Sequence, residues 1–164
     1  MSNIVIQEAC YDNPEHGNAI LSLLDKYAQD PMGGGKSLSE FTKSNLIKCL
    51  RNHPTSISLL ASMDGEYVGL LNAFSNLSTF KCKPLFNIHD LSVLDDFRGM
   101  GVASALLARL ETIAIERDYC KLTLEVLEGN LAAKAAYKKF GFTSYELDPR
   151  MGAALFWEKP LTND

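Results

Sequence analysis

The sequence predicts a single α/β domain, a mixed and mostly antiparallel sheet flanked by about four helices. Three observations carry this. Apolar residues alternate at period two on both sides of Asp64-Gly65, which is a hairpin pattern. The apolar run from Phe86 to Val93 passes through glycines into an amphipathic stretch, as a strand followed by a crossover helix does. Helical and strand patterns keep alternating along the 164 residues with no repeat, low-complexity tract or linker, so residues 1–164 read as one domain.

The elements follow in order. Residues 3–9, NIVIQEA, form an opening strand closed by Tyr11, Asp12 and Asn13. Asn13 caps a helix with Pro14 at its first position. Ile20, Leu23, Leu24 and Tyr27 share one face of it, and Asp30-Pro31 stops it. After the flexible Gly33-Gly34-Gly35, Ser37 and Glu40 have capping-box spacing and open a second helix. Phe41, Leu46, Ile47 and Leu50 are its apolar side, and His53-Pro54 closes it. Ile57, Leu59, Ala61 and Met63 alternate, Asp64-Gly65 turns the chain, and Tyr67 to Phe74 returns antiparallel. Residues 75–85, SNLSTFKCKPL, lack a period and read as a loop or frayed strand end.

Phe86 to Val93 is the next strand, and Arg98 to Arg117 is a helix with Val102, Leu106, Leu110 and Ile113 on its apolar stripe. Lys121 to Leu127 returns as a strand. Asn130 caps a short helix through Phe140, striped by Ala133, Ala136, Tyr137 and Phe140 and ended by Gly141. Phe142 to Leu147 and Ala153 to Glu158 form a final pair of strands, joined through Asp148, Pro149, Arg150 and Gly152.

With 46% hydrophobic and 22% charged residues, the composition is that of a folding globular chain. Sixteen Lys and Arg against twenty Asp and Glu give a net charge of -4, which argues against nucleic acid or an anionic membrane as partner and favours a cationic or neutral substrate. No apolar run approaches the roughly 20 residues of a membrane span. The opening MSNIVIQEACYD has no basic region followed by an apolar one, so a cytoplasmic protein is expected. Cys10, Cys49, Cys82 and Cys120 lie far apart without a C-x-x-C pair, which indicates reduced thiols in or near the core, no disulfide framework and no metal site. Gly35-Lys36-Ser37 has the end of a phosphate loop. However, Asp30 stands where its first glycine belongs, and a helix precedes it instead of a strand.

The strongest local signal is Arg98-Gly99-Met100-Gly101-Val102-Ala103 between a strand and a helix. Glycines there let backbone N–H groups approach an anion, and the helix start adds partial positive charge, so a diphosphate is held without a lysine cluster. The plainer reading of the same glycines is a tight loop that needs their dihedrals.

These residues resemble the GNAT superfamily of acetyl-CoA-dependent N-acetyltransferases. Arg98-x-x-Gly101-x-Ala103 is similar to its [RQ]-x-x-G-x-[GA] pyrophosphate loop, and Asn130 to Phe142, NLAAKAAYKKFGF, to its downstream Asn, Tyr and Gly-Phe pattern. The resemblance implies a GNAT-like acyl-CoA N-acyltransferase fold, splayed between Phe86–Val93 and Lys121–Leu127, with acetyl-CoA in the opening. It further implies that Leu91, Ser92 and Val93 pair with the pantetheine arm through their backbone. Amides of Arg98, Gly99, Met100, Gly101, Val102, Ala103 and Ser104 would wrap the pyrophosphate, and Asn130 would contact the cofactor. Tyr137 would protonate the leaving thiolate, although by pattern alone it is part of an apolar helix face. A homodimer through the last strands is what the resemblance suggests, and no metal is required.

In such a reaction the attacking amine must be neutral, although a free alkylamine has a pKa of about 10. A base is therefore useful, and the developing oxyanion needs a backbone donor. The strand Asn87-Ile88-His89-Asp90-Leu91-Ser92-Val93 places two adjacent ionisable residues where apolar ones belong. His89 stands where the diamine-acetylating branch of the family often has glutamate, and Asp90 matches an aspartate there. Strand alternation points His89 and Asp90 to opposite faces, so they act on different protons. Glu125, inside LTLEV, is a third candidate base, and Glu128 ranks below it. Clustered acidic residues favour a polyamine or amino sugar as acceptor. The expected activity is acetylation of a primary amine of a small molecule. A protein or peptide acceptor and a CoA-binding regulator without turnover are the alternatives.

Overall fold

The structure, a computed structural model, describes residues 3–161. It divides into two compact units, Met1–Leu124 and Glu125–Asp164. The first carries a five-stranded sheet of β1 (Ile4–Glu8), β2 (Ile57–Met63), β3 (Glu66–Ser78), β4 (Lys83–Val93) and β5 (Leu122–Leu124) in that spatial order. Its first three pairings are antiparallel and the last, β4 with β5, is parallel. Helices α1 (Pro14–Gln29), α2 (Glu40–Asn52) and α3 (Val102–Glu116) complete the unit, and α4 (Leu131–Phe140) lies in the second. This is the mixed, mostly antiparallel sheet with four helices that the pattern predicts.

The local chemistry explains the boundaries. Asn13 Oδ1 accepts from the Glu15 amide at 2.9 Å, with Pro14 opening α1. Ile20 and Leu23 of α1, with Leu50 of α2, pack against Leu60 and Leu70 of the sheet. Residues alternating with Leu70 face the other way, and there α3 buries Val102, Leu106, Leu110 and Ile113. The helix sits close because residue 69 is glycine: a Cβ there would lie 2.7 Å from Val102 Cγ1 and 3.2 Å from Leu106 Cδ1. Gly69→Ala is therefore expected to destabilise the protein by about 1–3 kcal/mol, read from the midpoint of urea unfolding.

Several expectations need correction. Ser39, not Ser37, caps α2, its Oγ accepting from the Thr42 amide at 3.1 Å, while Ser37 Oγ donates to Asp25 at 2.7 Å. Phe41 is 78% exposed, because a helix starting at Glu40 turns that position outward. Residues 75–85 are strand, turn and strand: β3 and β4 stay paired out to Ser78↔Lys83. Backbone ladders hold a pair that buries little, so no alternation marks it. Cys10, Cys49 and Cys82 are exposed and Cys120 is half-buried, so none of the four lies in the core.

The strand expected over Lys121–Leu127 is only Leu122–Leu124. Phe142–Leu147 and Ala153–Glu158 form no strands among the described residues. The Ala154 amide donates to the Tyr145 carbonyl at 2.8 Å across the turn at Pro149–Met151, without a ladder. A lone hairpin without a third strand or a packing face is marginal. Within the same unit α4 forms as its caps dictate: Asn130 Oδ1 accepts from the Ala133 amide at 3.2 Å, and Gly141 closes the helix in the left-handed conformation. Among the described residues, no helix is long and apolar enough to cross a membrane.

Candidate active site

Two irregularities of β4 build the site. Asn72 pairs with Asp90 but Ala73 pairs with Ile88, so His89 is an extra residue in the ladder, a β-bulge. The bulge resets the alternation by one position. His89 and Asp90 consequently share one face, that of Asn72 and Phe74, and the opposite-face expectation fails for this reason. The second irregularity is that pairing with β5 ends at Ile88↔Leu124. Beyond it Leu91, Ser92 and Val93 pair only with β3 among the described residues.

Asp90 is held from the interior of the sheet. Asn72 Nδ2 donates to Asp90 Oδ2 at 2.9 Å, and Ser58 Oγ donates to Asn72 Oδ1 at 2.6 Å. Because the Ser58 proton is thereby engaged, the Tyr11 hydroxyl, 2.9 Å away, donates to Ser58. Ser58 and Asn72 are 1% and 2% exposed, and buried polar side chains persist where such bonds satisfy them. Tyr27 of α1 faces the same carboxylate. Burial first, then the charges of Asp90 and Asp30, raise its phenol above the ordinary value, which keeps it a proton-bearing donor at neutral pH. The His89 ring meets the Phe74 ring edge-on at 5.8 Å, and His53 meets the same ring at 4.8 Å.

These groups line a pocket of about 370 Å³ between the sheet and the first two helices. Asp90, His89, Asn72 and Tyr27 are its polar lining, and the rest is leucine, alanine, glycine and Phe74. The connection holding Gly33-Gly34-Gly35 contributes Gly33 to the lining. It is fastened by Leu38 N–H on Asp25 Oδ1 (2.7 Å) and Lys36 N–H on the Ala28 carbonyl (3.0 Å), and with Ser37 bonded to Asp25 it has no phosphate-loop character.

The glycine loop leads into α3. Gly99 and Gly101 adopt φ of 77° and 89°, which other residues rarely do, and Gly101 is the N-cap with no side chain capping the helix. The first intrahelical bond is Ala105 N–H to the Gly101 carbonyl at 3.0 Å. The amides of Val102, Ala103 and Ser104 therefore have no helical acceptor of their own. Arg98 is occupied otherwise: its amide donates to the Asp95 carbonyl, and its guanidinium pairs with Asp95 at 2.9 Å and Asp30 at 3.3 Å. The Met32 amide first, and then Arg98, hold the Asp30 carboxyl below its ordinary value. Met100 is exposed and Val102 is buried against the sheet.

Glu125, Asn130 and Tyr137 belong to the second unit. Glu125 is exposed just past the end of β5, so the puzzle of a carboxylate inside a buried strand disappears. Asn130 is the cap of α4, and Tyr137 is half-buried, its ring edge-on to Phe142 at 5.9 Å. Tyr11, Tyr27, Ser58 and Asn72 were not singled out from the sequence. The signal for two of them was present, since Ser58 in ISLLAS and Asn72 in LLNAF are polar residues inside otherwise apolar strands.

Residues 20–142 match the acetyltransferase (GNAT) family. A stretch of 94 residues is 33% identical to an uncharacterized N-acetyltransferase of Archaeoglobus fulgidus, covering 57% of this chain and 64% of that protein. The chain thus spans less than two thirds of that relative's length. A crystal structure of a probable acetyltransferase superposes with a TM-score of 0.78 at 23% identity, over 98% of this chain and 99% of the other. The aminoglycoside N-acetyltransferase AAC(6')-Iy, solved with CoA, gives 0.72 at 17% identity over 97% and 96%. Likeness at such identities shows the fold alone. The family match takes in well over half of the chain and runs from α1 through the glycine loop to the end of the Asn130–Phe142 pattern, so this chain belongs to the acetyltransferase (GNAT) family.

Proposed function

We propose that the chain is an N-acetyltransferase that moves an acetyl group from acetyl-CoA to the primary amine of a small-molecule acceptor, and that residues 1–164 act as one domain. The observation that carries this reading is the start of α3, led by Gly101 and capped by no side chain, a short turn after a strand whose end pairs on one side only among the described residues. Acetyl-CoA supplies the acetyl group as an activated thioester. The amides of Gly99, Met100, Gly101, Val102, Ala103 and Ser104 hold its pyrophosphate, where the helix start favours negative charge. Arg98 shapes that loop through its pairs with Asp95 and Asp30. Backbone groups of Leu91, Ser92 and Val93 bond the pantetheine arm, and a β4 N–H beyond the bulge is the donor for the acyl oxygen.

Asp90 receives the acceptor's ammonium, orients it, and takes its proton directly or through water. His89 and Glu125 are the alternative bases. Asn130 contacts the cofactor and the Tyr137 hydroxyl gives a proton to the departing sulfur, roles supported by their place in the family pattern. The pocket of about 370 Å³ beside Asp90 and the aminoglycoside N-acetyltransferase among the structural neighbours support a small-molecule acceptor over a peptide. The exposed Leu155, Phe156 and Trp157 support association of two copies through the last segment, which light scattering would read.

Acetyl-CoA at about 100 times its Kd should stabilise the fold by about 2.7 kcal/mol. Mg-ATP should leave Tm unchanged. No shift with acetyl-CoA would defeat the reading, and faster CoA release with peptides bearing free amines than with small amines would replace the acceptor class.

A further inference from the structure

The acceptor pocket points to a narrower class. Resting on the acetyl-transfer reading, we infer that the acceptor is a monoamine with an apolar body, such as a one-ring arylalkylamine or a branched alkylamine, and not a polycation.

The polar side chains lining the pocket are Asp90, Asn72, Tyr27 and His89, and the others are Leu24, Ala28, Leu38, Leu46, Leu50 and Phe74, with Gly33. Asp90 is the one carboxylate among the lining residues. The neighbouring carboxylates of α1 are engaged elsewhere. Asp25 accepts from Ser37 Oγ and the Leu38 amide, both at 2.7 Å, and pairs with Lys43 at 3.7 Å. Asp30 accepts from the Met32 amide at 2.8 Å and pairs with Arg98. One ammonium can therefore be neutralised at Asp90, while a second held within the pocket meets no counter-ion among the lining residues and lies beside apolar side chains, which is disfavoured.

Size and shape agree. A volume of about 370 Å³ lies at the low end of ligand pockets, about 300–1,000 Å³, enough for one ring and a short amine arm. The Phe74 ring, already edge-on to His53 and His89, supplies the aromatic contact that a ring substituent favours. This departs from the polyamine or amino sugar that clustered acidic residues suggested from the sequence.

The test compares 2-phenylethylamine, isoamylamine, spermidine and kanamycin as acceptors on the full chain, reading CoA release and, separately, the Tm shift caused by each amine. The expected kcat/KM for 2-phenylethylamine exceeds that for spermidine and kanamycin by about tenfold or more, and Leu46→Asp, which places a carboxylate on the apolar wall, narrows that gap. Equal or better use of spermidine or kanamycin by the wild type overturns the inference, as does a failure of 2-phenylethylamine both to react and to shift Tm while acetyl-CoA still does. In the latter case the cofactor reading stands. Conversely, a 2-phenylethylamine shift that Asp90→Asn abolishes, in a protein that acetyl-CoA does not stabilise, upholds the pocket inference and defeats the acetyl-transfer reading. Should Leu46→Asp fail to fold, the wild-type ranking decides alone.

Discussion

Asp90→Asn is expected to lower kcat/KM for acetyl transfer by about 10²–10⁴-fold, the usual range for loss of a positioned proton acceptor, with the acetyl-CoA shift in Tm retained. The substitution keeps the shape of the side chain, and its amide oxygen still accepts from Asn72, so the sheet is undisturbed. What disappears is the single negative charge among the residues lining the pocket. An ammonium bound there loses its counter-ion, and its proton loses a destination. The kinetics divide the two roles: a rise in the amine KM with kcat intact marks an ammonium anchor, and a fall in kcat marks the proton acceptor. Steady-state CoA release with 2-phenylethylamine makes the measurement. A loss below about tenfold, with a larger one in His89→Ala or Glu125→Gln, would move the base to that residue.

The sequence made legible whatever depends on neighbouring residues. Asn13, Asp64-Gly65 and Gly141 mark their caps and turns because cap and turn chemistry is local, and the stripe of α3 follows from helical period alone, although the helix expected from Arg98 begins only at Val102, after the left-handed Gly101. The bulge at His89 was hidden, because an extra residue in a ladder is a property of two strands and leaves no mark on either. This one feature changed the site most, since it brought His89 and Asp90 to the same pocket. The early end of β5 at Leu124 was hidden for a related reason, because where a ladder stops is set by two strands together and not by the strand composition of residues 125–127. Ser58 and Asn72 could have been questioned as polar residues in apolar strands, but that they touch each other depends on the register between β2 and β3. Phe142–Leu147 and Ala153–Glu158 show the converse, where alternation is present but no ladder forms among the described residues.

Asn72→Leu should cost both stability and rate, and the two losses have separable origins. Leucine fills the volume, so the core stays packed, but the Asp90 carboxylate loses its Nδ2–H donor and the Ser58 hydroxyl loses its acceptor. Leaving such buried groups unsatisfied costs about 1–3 kcal/mol, which in a chain of this size lowers Tm by about 2–12 °C. The rate loss comes from position. Without Asn72 no other described residue of the sheet fixes the Asp90 rotamer, and a displacement of about 1 Å at a reacting group lowers turnover about 10²-fold. Assayed well below the variant's own Tm, a purely structural role for Asn72 would leave kcat and both KM values unchanged. A positioning role lowers kcat and raises the amine KM while sparing the acetyl-CoA KM. Ser58→Ala grades the effect, because it removes the donor that orients the Asn72 amide and leaves the Asn72–Asp90 bond possible. Its expected loss of kcat is smaller than that of Asn72→Leu and in the same direction, and a loss in Ser58→Ala without one in Asn72→Leu would show that Asp90 is held by something other than this relay.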